Sequence, residues 1–287
     1  TQRVALVTDS TCDLPRELAR QLGIVIIPQI LIWGTEERLD NVDITPDEFY
    51  SRLTVDPVHP KSSQPIPQTF IRLFEELRAS GSEAVVAVLL SDQLSGTLAS
   101  AYQAAAALPD YPVHIVNSRI VSMGLGFQVL AAARARAAGL GAEGMVAAAE
   151  AVRERIHLYL SVETLEYLHR GGRIGGAAKL IGTALQLKPM LMVDPRSGQV
   201  EPVERTRTRR KALERLYEVF TQRVDPGRPS RVAVMHGSAP EEAEAFAERV
   251  RADYNLVDEV IVTSTSPVIG VHTGPWAIGL SGYNEPA

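Results

Sequence analysis

From residue 4 to about residue 155, short apolar runs rich in β-branched residues take turns with longer amphipathic stretches. That alternation is the sequence form of parallel strands joined by crossover helices. Residues 4–8, 24–33, 85–90 and 113–116 read as buried strands, the second of them almost continuously apolar. Asp13 and Pro15 open a helix that Gly23 closes, and Thr45 with Glu48 spells a capping box ahead of Pro46. Phe70, Ile71, Leu73, Phe74 and Leu77 share one helical face that ends at Gly81, and alanine-rich helices are expected over 97–108, 122–138 and 143–156.

The character changes after Ile156. Strands are expected at 158–162, 189–193, 200–204, 232–235, 260–263 and 277–283, and the turn at 194–198, with Pro195 and Gly198, joins the second and third as a hairpin. This half should therefore hold a mixed or antiparallel sheet with helices. At roughly 150 residues per domain, 287 residues give about two domains. The boundary is placed at 157: residues 1–157 form an N-terminal α/β domain with a mostly parallel sheet, and 158–287 a C-terminal α/β domain. No low-complexity linker separates them, so a ligand between them and a substantial shared interface are expected.

Several function classes fall away. Twenty-nine basic residues against 34 acidic ones leave −5, which provides no global field for nucleic acid. Cys12 is the single cysteine, so no internal disulfide can form, and no basic stretch, apolar core and cleavage site open the sequence; the expected compartment is the cytoplasm. The longest uncharged stretch, 260–284, contains Pro267, His272 and Pro275 among many hydroxyls and is not a membrane helix. None of the lysines at 61, 179, 188 and 211 follows a glycine, which removes a Walker loop. Gly124 and Gly126 are followed by Val129, a poor dinucleotide fingerprint. The histidines at 59, 114, 157, 169, 236 and 272 include no i, i+4 pair, so no metal is expected. No Gly-x-Ser-x-Gly elbow occurs.

What remains is a set of hydroxyl- and glycine-rich turns. Ser91-Asp92-Gln93-Leu94-Ser95-Gly96-Thr97 joins a strand to a helix and would expose backbone N–H groups to an anion; it reads equally as a helix cap by Ser95 or Thr97. Ser62-Ser63-Gln64-Pro65 reads as a second pre-helix turn, and Val268 to Pro275 places His272 in a glycine-rich apolar loop, where a histidine can be a plain core residue. Arg170-Gly171-Gly172-Arg173 sets two guanidinium groups on a flexible backbone. Arg205, Arg207, Arg209, Arg210 and Lys211 put five basic side chains in seven residues, either a solvated helix start or a docking surface for an acidic partner.

Taken in order along the chain, these stretches resemble the DegV family, the bacterial fatty-acid-binding group that includes the FakB subunits of fatty acid kinase. The matching segments are Val7-Thr8-Asp9-Ser10-Thr11 with Asp13-Leu14-Pro15, Ser62 to Pro65, Leu94 to Thr97, Arg170 to Ile174, Lys188-Pro189 and Gly270 to Pro275. The resemblance implies a long-chain fatty acid buried between two α/β domains, no other cofactor, and no catalysis by this chain itself. It implies that Ser62, Ser63, Ser95, Gly96, His272 and Thr273 hold the carboxylate, and that a separate fatty acid kinase subunit phosphorylates it to an acyl phosphate. Arg173, Arg205 and Arg207 would serve that partner and the phosphoryl transfer, and transient contact with a membrane surface is compatible with the role. Trp276 and Ile269 are placed along the acyl slot. Two residues depart from the family pattern: Trp276 stands where a small residue is usual, and Ile66 where a capping serine is commoner.

Residue chemistry leads to the same ligand, because hydroxyls and helix N-terminal N–H groups can hold a carboxylate without a full counter-charge. Two competing readings carry different tests. If Ser95 were a nucleophile activated by His272, an acyl hydrolase or transferase would cleave a chromogenic ester unaided. If the chain were a lipid-sensing interaction module working through residues 205–211, fatty acid would alter its affinity for a partner.

Overall fold

The computed structural model describes residues 3–182 and 187–286. In chain order the first half holds β1 (Val4–Asp9), α1 (Arg16–Gln21), β2 (Ile24–Ile27), β3 (Ile30–Trp33), β4 (Glu36–Leu39), α2 (Pro46–Leu53), β5 (Lys61–Ser63), α3 (Pro67–Ala79), β6 (Ala84–Leu89), α4 (Thr97–Ala106) and β7 (Val113–Asn117). Helices α5 (Met123–Ala137) and α6 (Gly141–Arg153) follow. The second half holds β8 (His157–Ser161), α7 (Glu166–Arg170), β9 (Lys188–Asp194), β10 (Gln199–Thr206), α8 (Arg209–Thr221), β11 (Ser230–His236), α9 (Pro240–Asp253), β12 (Ile261–Ser264), α10 (Pro267–Thr273) and β13 (Ile278–Asn284).

Three sheets form among the described residues. The first, in order β2-β1-β6-β7, is parallel throughout, and the strands of β6 are buried on both faces as continuous apolar runs require. The second, β10-β9-β8-β13-β11-β12, is antiparallel except for the β11–β12 pair, and β9–β10 is the hairpin its turn residues imply. The third is a small antiparallel sheet, β4-β3-β5. Helix α5 is apolar nearly all round and buried from Met123 to Ala133, packed against β1 and β6 on one sheet and β8 and β13 on the other.

Three local elements differ from expectation. The apolar run 24–33 is not one strand: Pro28 lacks the N–H that a ladder needs, the ladder is interrupted at residues 28–29, and β2 and β3 enter different sheets. Ser62 and Ser63 do not sit in a pre-helix turn but on β5, opposite Leu31 and Ile30 of β3. Nor is His272 in a loop. It lies on α10, which begins with Ser266 Oγ accepting from Ile269 N and Pro267 in the first turn. Helix α10 packs back against α2, β3 and β5, so the C-terminal part of the chain contributes to the face on which Ser62 stands.

Candidate functional site

In a parallel sheet, ligands gather at the C-terminal strand ends where the connections diverge to opposite sides. Here β1 leads outward to β2 and β6 outward to β7, so the divergence lies between β1 and β6. The segments leaving those strands supply Thr11, Leu90, Leu94 and Ser95 to one cavity. Its other walls are Gln29, Ser62, Ser63 and Gln64 from the small-sheet side, Val268, Ile269, His272 and Thr273 of α10, and Leu168 and Arg173. The inner face of the second sheet closes it with Leu158, Leu160, Leu191, Val193, Val200, Met235 and Gly279. About 970 Å³ is free of protein atoms, including the part open to solvent.

The polar lining residues are joined to one another. Ser62 Oγ is 2.7 Å from His272 Nε2, while His272 Nδ1 is buried without a partner among the described residues. A β-carbon on Gly171 would overlap Nδ1 and lie 2.7 Å from Cε1, so the Arg-Gly-Gly-Arg backbone touches the imidazole directly. Burial, followed by the charges of Arg173 and His59, pushes the His272 pKa down to about 3, and the ring is neutral. We assign its proton to Nε2, donating to Ser62 Oγ, because the alternative buries an unpaired N–H at Nδ1. The Ser62 hydroxyl hydrogen is then free to face a ligand.

Ser95 is arranged by the same logic. Gln29 Nε2 is 2.9 Å from Thr97 Oγ1, which is 2.8 Å from Ser95 Oγ. Ser95 Oγ also accepts from Thr97 N at 3.3 Å, and Thr97 Oγ1 lies 3.3 Å from Gln29 Oε1 as well; when Thr97 donates to Ser95, the Ser95 hydroxyl hydrogen is left for the cavity. Gln64 covers Gly96, whose β-carbon would come within 3.0 Å of its amide nitrogen. Arg173 is anchored by Nε to Leu94 O and Nη1 to Gly171 O. Gln29 has no role in the sequence reading, although a glutamine directly after Pro28 in an apolar run is a visible signal.

Beneath this cluster lie three fully buried carboxylates. Asp9 accepts from Thr11 N and Leu90 N, Asp13 from Ser266 N and Ser122 Oγ, and Asp40 from Val268 N and Ser10 Oγ. They tie the β1 and β6 segments to the start of α10, and none forms an ion pair among the described residues. Desolvation raises all three, Asp40 to about 7. A folded pKa above the unfolded value means the native state binds the extra proton, so this contribution is complete near pH 4 and lost as pH rises towards 7. The melting temperature of Asp40→Asn, which keeps an acceptor for Val268 N, is expected to fall less between pH 5 and pH 8 than that of the parent protein. An equal fall in thermal melts would contradict this.

Three expected site residues lie elsewhere. Trp276 is 48% exposed, sits at φ +62° and is not part of the cavity lining, which takes up Ala277 and Ile278 instead; its left-handed backbone turns the indole outward, and it does not narrow the cavity. Ile269, by contrast, does line the cavity. Arg205 and Arg207 are exposed and off the cavity: β10 touches it at Val200, and five residues of strand at about 3.3 Å each put Arg205 roughly 16 Å further along. Ser95 and His272 share no hydrogen bond, so the nucleophile–base pair of the hydrolase reading is not assembled. Ile66 starts α3 without a side-chain cap.

Comparison with known proteins gives one family. The model of the DegV family, described as uncharacterised proteins, matches residues 3–285. A DegV domain-containing protein of Streptomyces coelicolor is 37% identical over 281 residues, covering 98% of each chain. Among solved structures, a DegV family protein from Thermus thermophilus described by its fatty acid binding superposes with a TM-score of 0.91 at 34% identity, covering 99% of this chain and 100% of that one. DegV of Bacillus subtilis, described as a fatty acid binding protein, gives 0.91 at 31%, with coverage of 99% and 100%.

Proposed function

The chain belongs to the DegV family, and from that premise we propose that it holds one long-chain fatty acid in the cavity between its sheets, with the carboxylate at Ser62, Ser95 and His272. The supporting observation is the grouping of side chains: the hydroxyls of Ser62 and Ser95, the first held by a neutral imidazole, line a cavity whose remaining walls are largely leucine, valine, isoleucine and methionine. Such a site suits an anion whose oxygens must stay reactive, because it supplies donors without neutralising the charge through a bidentate salt bridge. Burial of ~14 methylenes at about 0.8 kcal/mol each gives a gross gain on the order of 10 kcal/mol before ordering costs, enough to retain the lipid without a covalent bond.

In this reading the protein is a carrier. It presents the carboxylate to a separate kinase subunit, shields the acyl phosphate that forms, and exchanges lipid through transient contact with a membrane surface. No helix among the described residues is long and apolar enough to cross a membrane. Arg173 faces the head group, while Arg205 and Arg207 belong to the exposed surface that meets the partner.

Fatty acid titration tests the reading. Removing one donor to a charged group costs about 1.5–3 kcal/mol, so Ser62→Ala and Ser95→Ala should each weaken binding roughly ten- to a hundredfold. Native mass spectrometry of the parent protein should show a single fatty-acid-sized adduct. Unchanged affinity in both folded variants would remove the carboxylate from this end of the cavity.

A further inference from the structure

Strand β13 carries glycines on its two opposite faces, Gly279 towards the cavity and Gly282 towards Phe220 of α8, for different reasons. Gly282 is required by packing: a β-carbon there would meet Arg231 O at 2.5 Å and Phe220 Cζ at 3.0 Å. Gly279 is not. Its backbone is ordinary strand outside the left-handed region, and a β-carbon would contact only the mobile end of Met235, at 3.0 Å, and ordinary neighbours at 3.4 Å and beyond. A strand pays an entropic cost for such a glycine, which commonly marks the close approach of something else.

The register shows what it faces. Gly279 stands opposite Met235 on β11 and Leu160 on β8, and Leu160 stands opposite Leu191 on β9; all four line the cavity. The row across the sheet therefore has one gap between large side chains, on strands about 10 Å apart. We propose that the acyl chain crosses the second sheet through the gap at Gly279, and that this residue, with Met235 beside it, sets how long a chain the protein accepts. The inference rests on the fatty acid reading above.

Equilibrium binding of C14 and C18 saturated fatty acids tests it. Gly279→Val fills the gap with a side chain suited to a strand, and should lower the C18-to-C14 affinity ratio at least tenfold while leaving the melting temperature at or above that of the parent protein. Gly279→Ala, a single methyl that Met235 can evade, should move the ratio at least threefold in the same direction and guards against a valine variant that does not fold. Adding Met235→Ala to Gly279→Val should restore C18 binding. A purely structural glycine would weaken both chains alike, and an unchanged ratio in either folded variant overturns the proposal. If the parent protein binds neither acid, the carrier reading itself fails, which is a separate outcome.

Discussion

Gly171→Ala is expected to weaken fatty acid binding by a hundredfold or more while leaving a folded protein. The backbone at Gly171 is in the ordinary right-handed region, φ −76° and ψ −7°, so alanine brings no conformational strain. The added methyl would overlap His272 Nδ1 and approach Tyr167 O at 3.1 Å. His272 sits on a helix whose first turn is fixed by Asp13 and Asp40, and the ring must move as a unit. Overpacking of this kind costs about 1–3 kcal/mol of stability, and losing the His272–Ser62 contact with the donor it orients removes about 3 kcal/mol of carboxylate binding. Gly172→Ala is the control: no heavy atom lies within 4 Å of its β-carbon, although its φ of +69° is strained, so it should lower the melting temperature without changing affinity. Binding by Gly171→Ala within threefold of the parent would show that His272 is not a ligand contact.

Arg173→Ala is expected to lower acyl phosphate formation at least a hundredfold in a reconstituted kinase assay, with fatty acid affinity falling only severalfold. Transfer to a carboxylate builds charge on the moving phosphoryl group, and in the carrier reading the arginine lining the cavity would stabilise that charge as it develops. Two backbone carbonyls, of Leu94 and Gly171, fix this guanidinium in advance. Arg207→Ala should act through docking instead, producing about a tenfold loss that shrinks with added salt, since salt screens the attraction of the parent's exposed charge, over roughly 8 Å at physiological ionic strength. Full turnover by lipid-loaded Arg173→Ala would place the arginine outside the transfer step.

The strands and most helices were legible because burial leaves a periodic mark on local sequence: 85–90 is apolar on both faces and is β6, and 4–8 is β1. The misread places are those where distant residues decide. A three-residue strand at Ser62 exists only because β3 offers it an edge. Helix α10 contains Gly270 and ends at Gly274, yet it forms because carboxylates more than two hundred residues earlier accept its first N–H groups. The Ser62–His272 pair follows from both, and no spacing in the sequence could announce it. The direction of Trp276 was equally hidden, since it depends on one left-handed backbone angle.

The β13 strand lies between β8 and β11 in the middle of the second sheet, and α10 reaches back to Asp13 and Asp40. During synthesis, therefore, everything up to about residue 265 can leave the ribosome before the cavity has all its walls. The sheet stands divided between β8 and β11, and Ser62 has no imidazole beside it. A nascent chain stalled before residue 266 should therefore take up no fatty acid, because the strand between β8 and β11 and the helix that carries His272 are both missing from it.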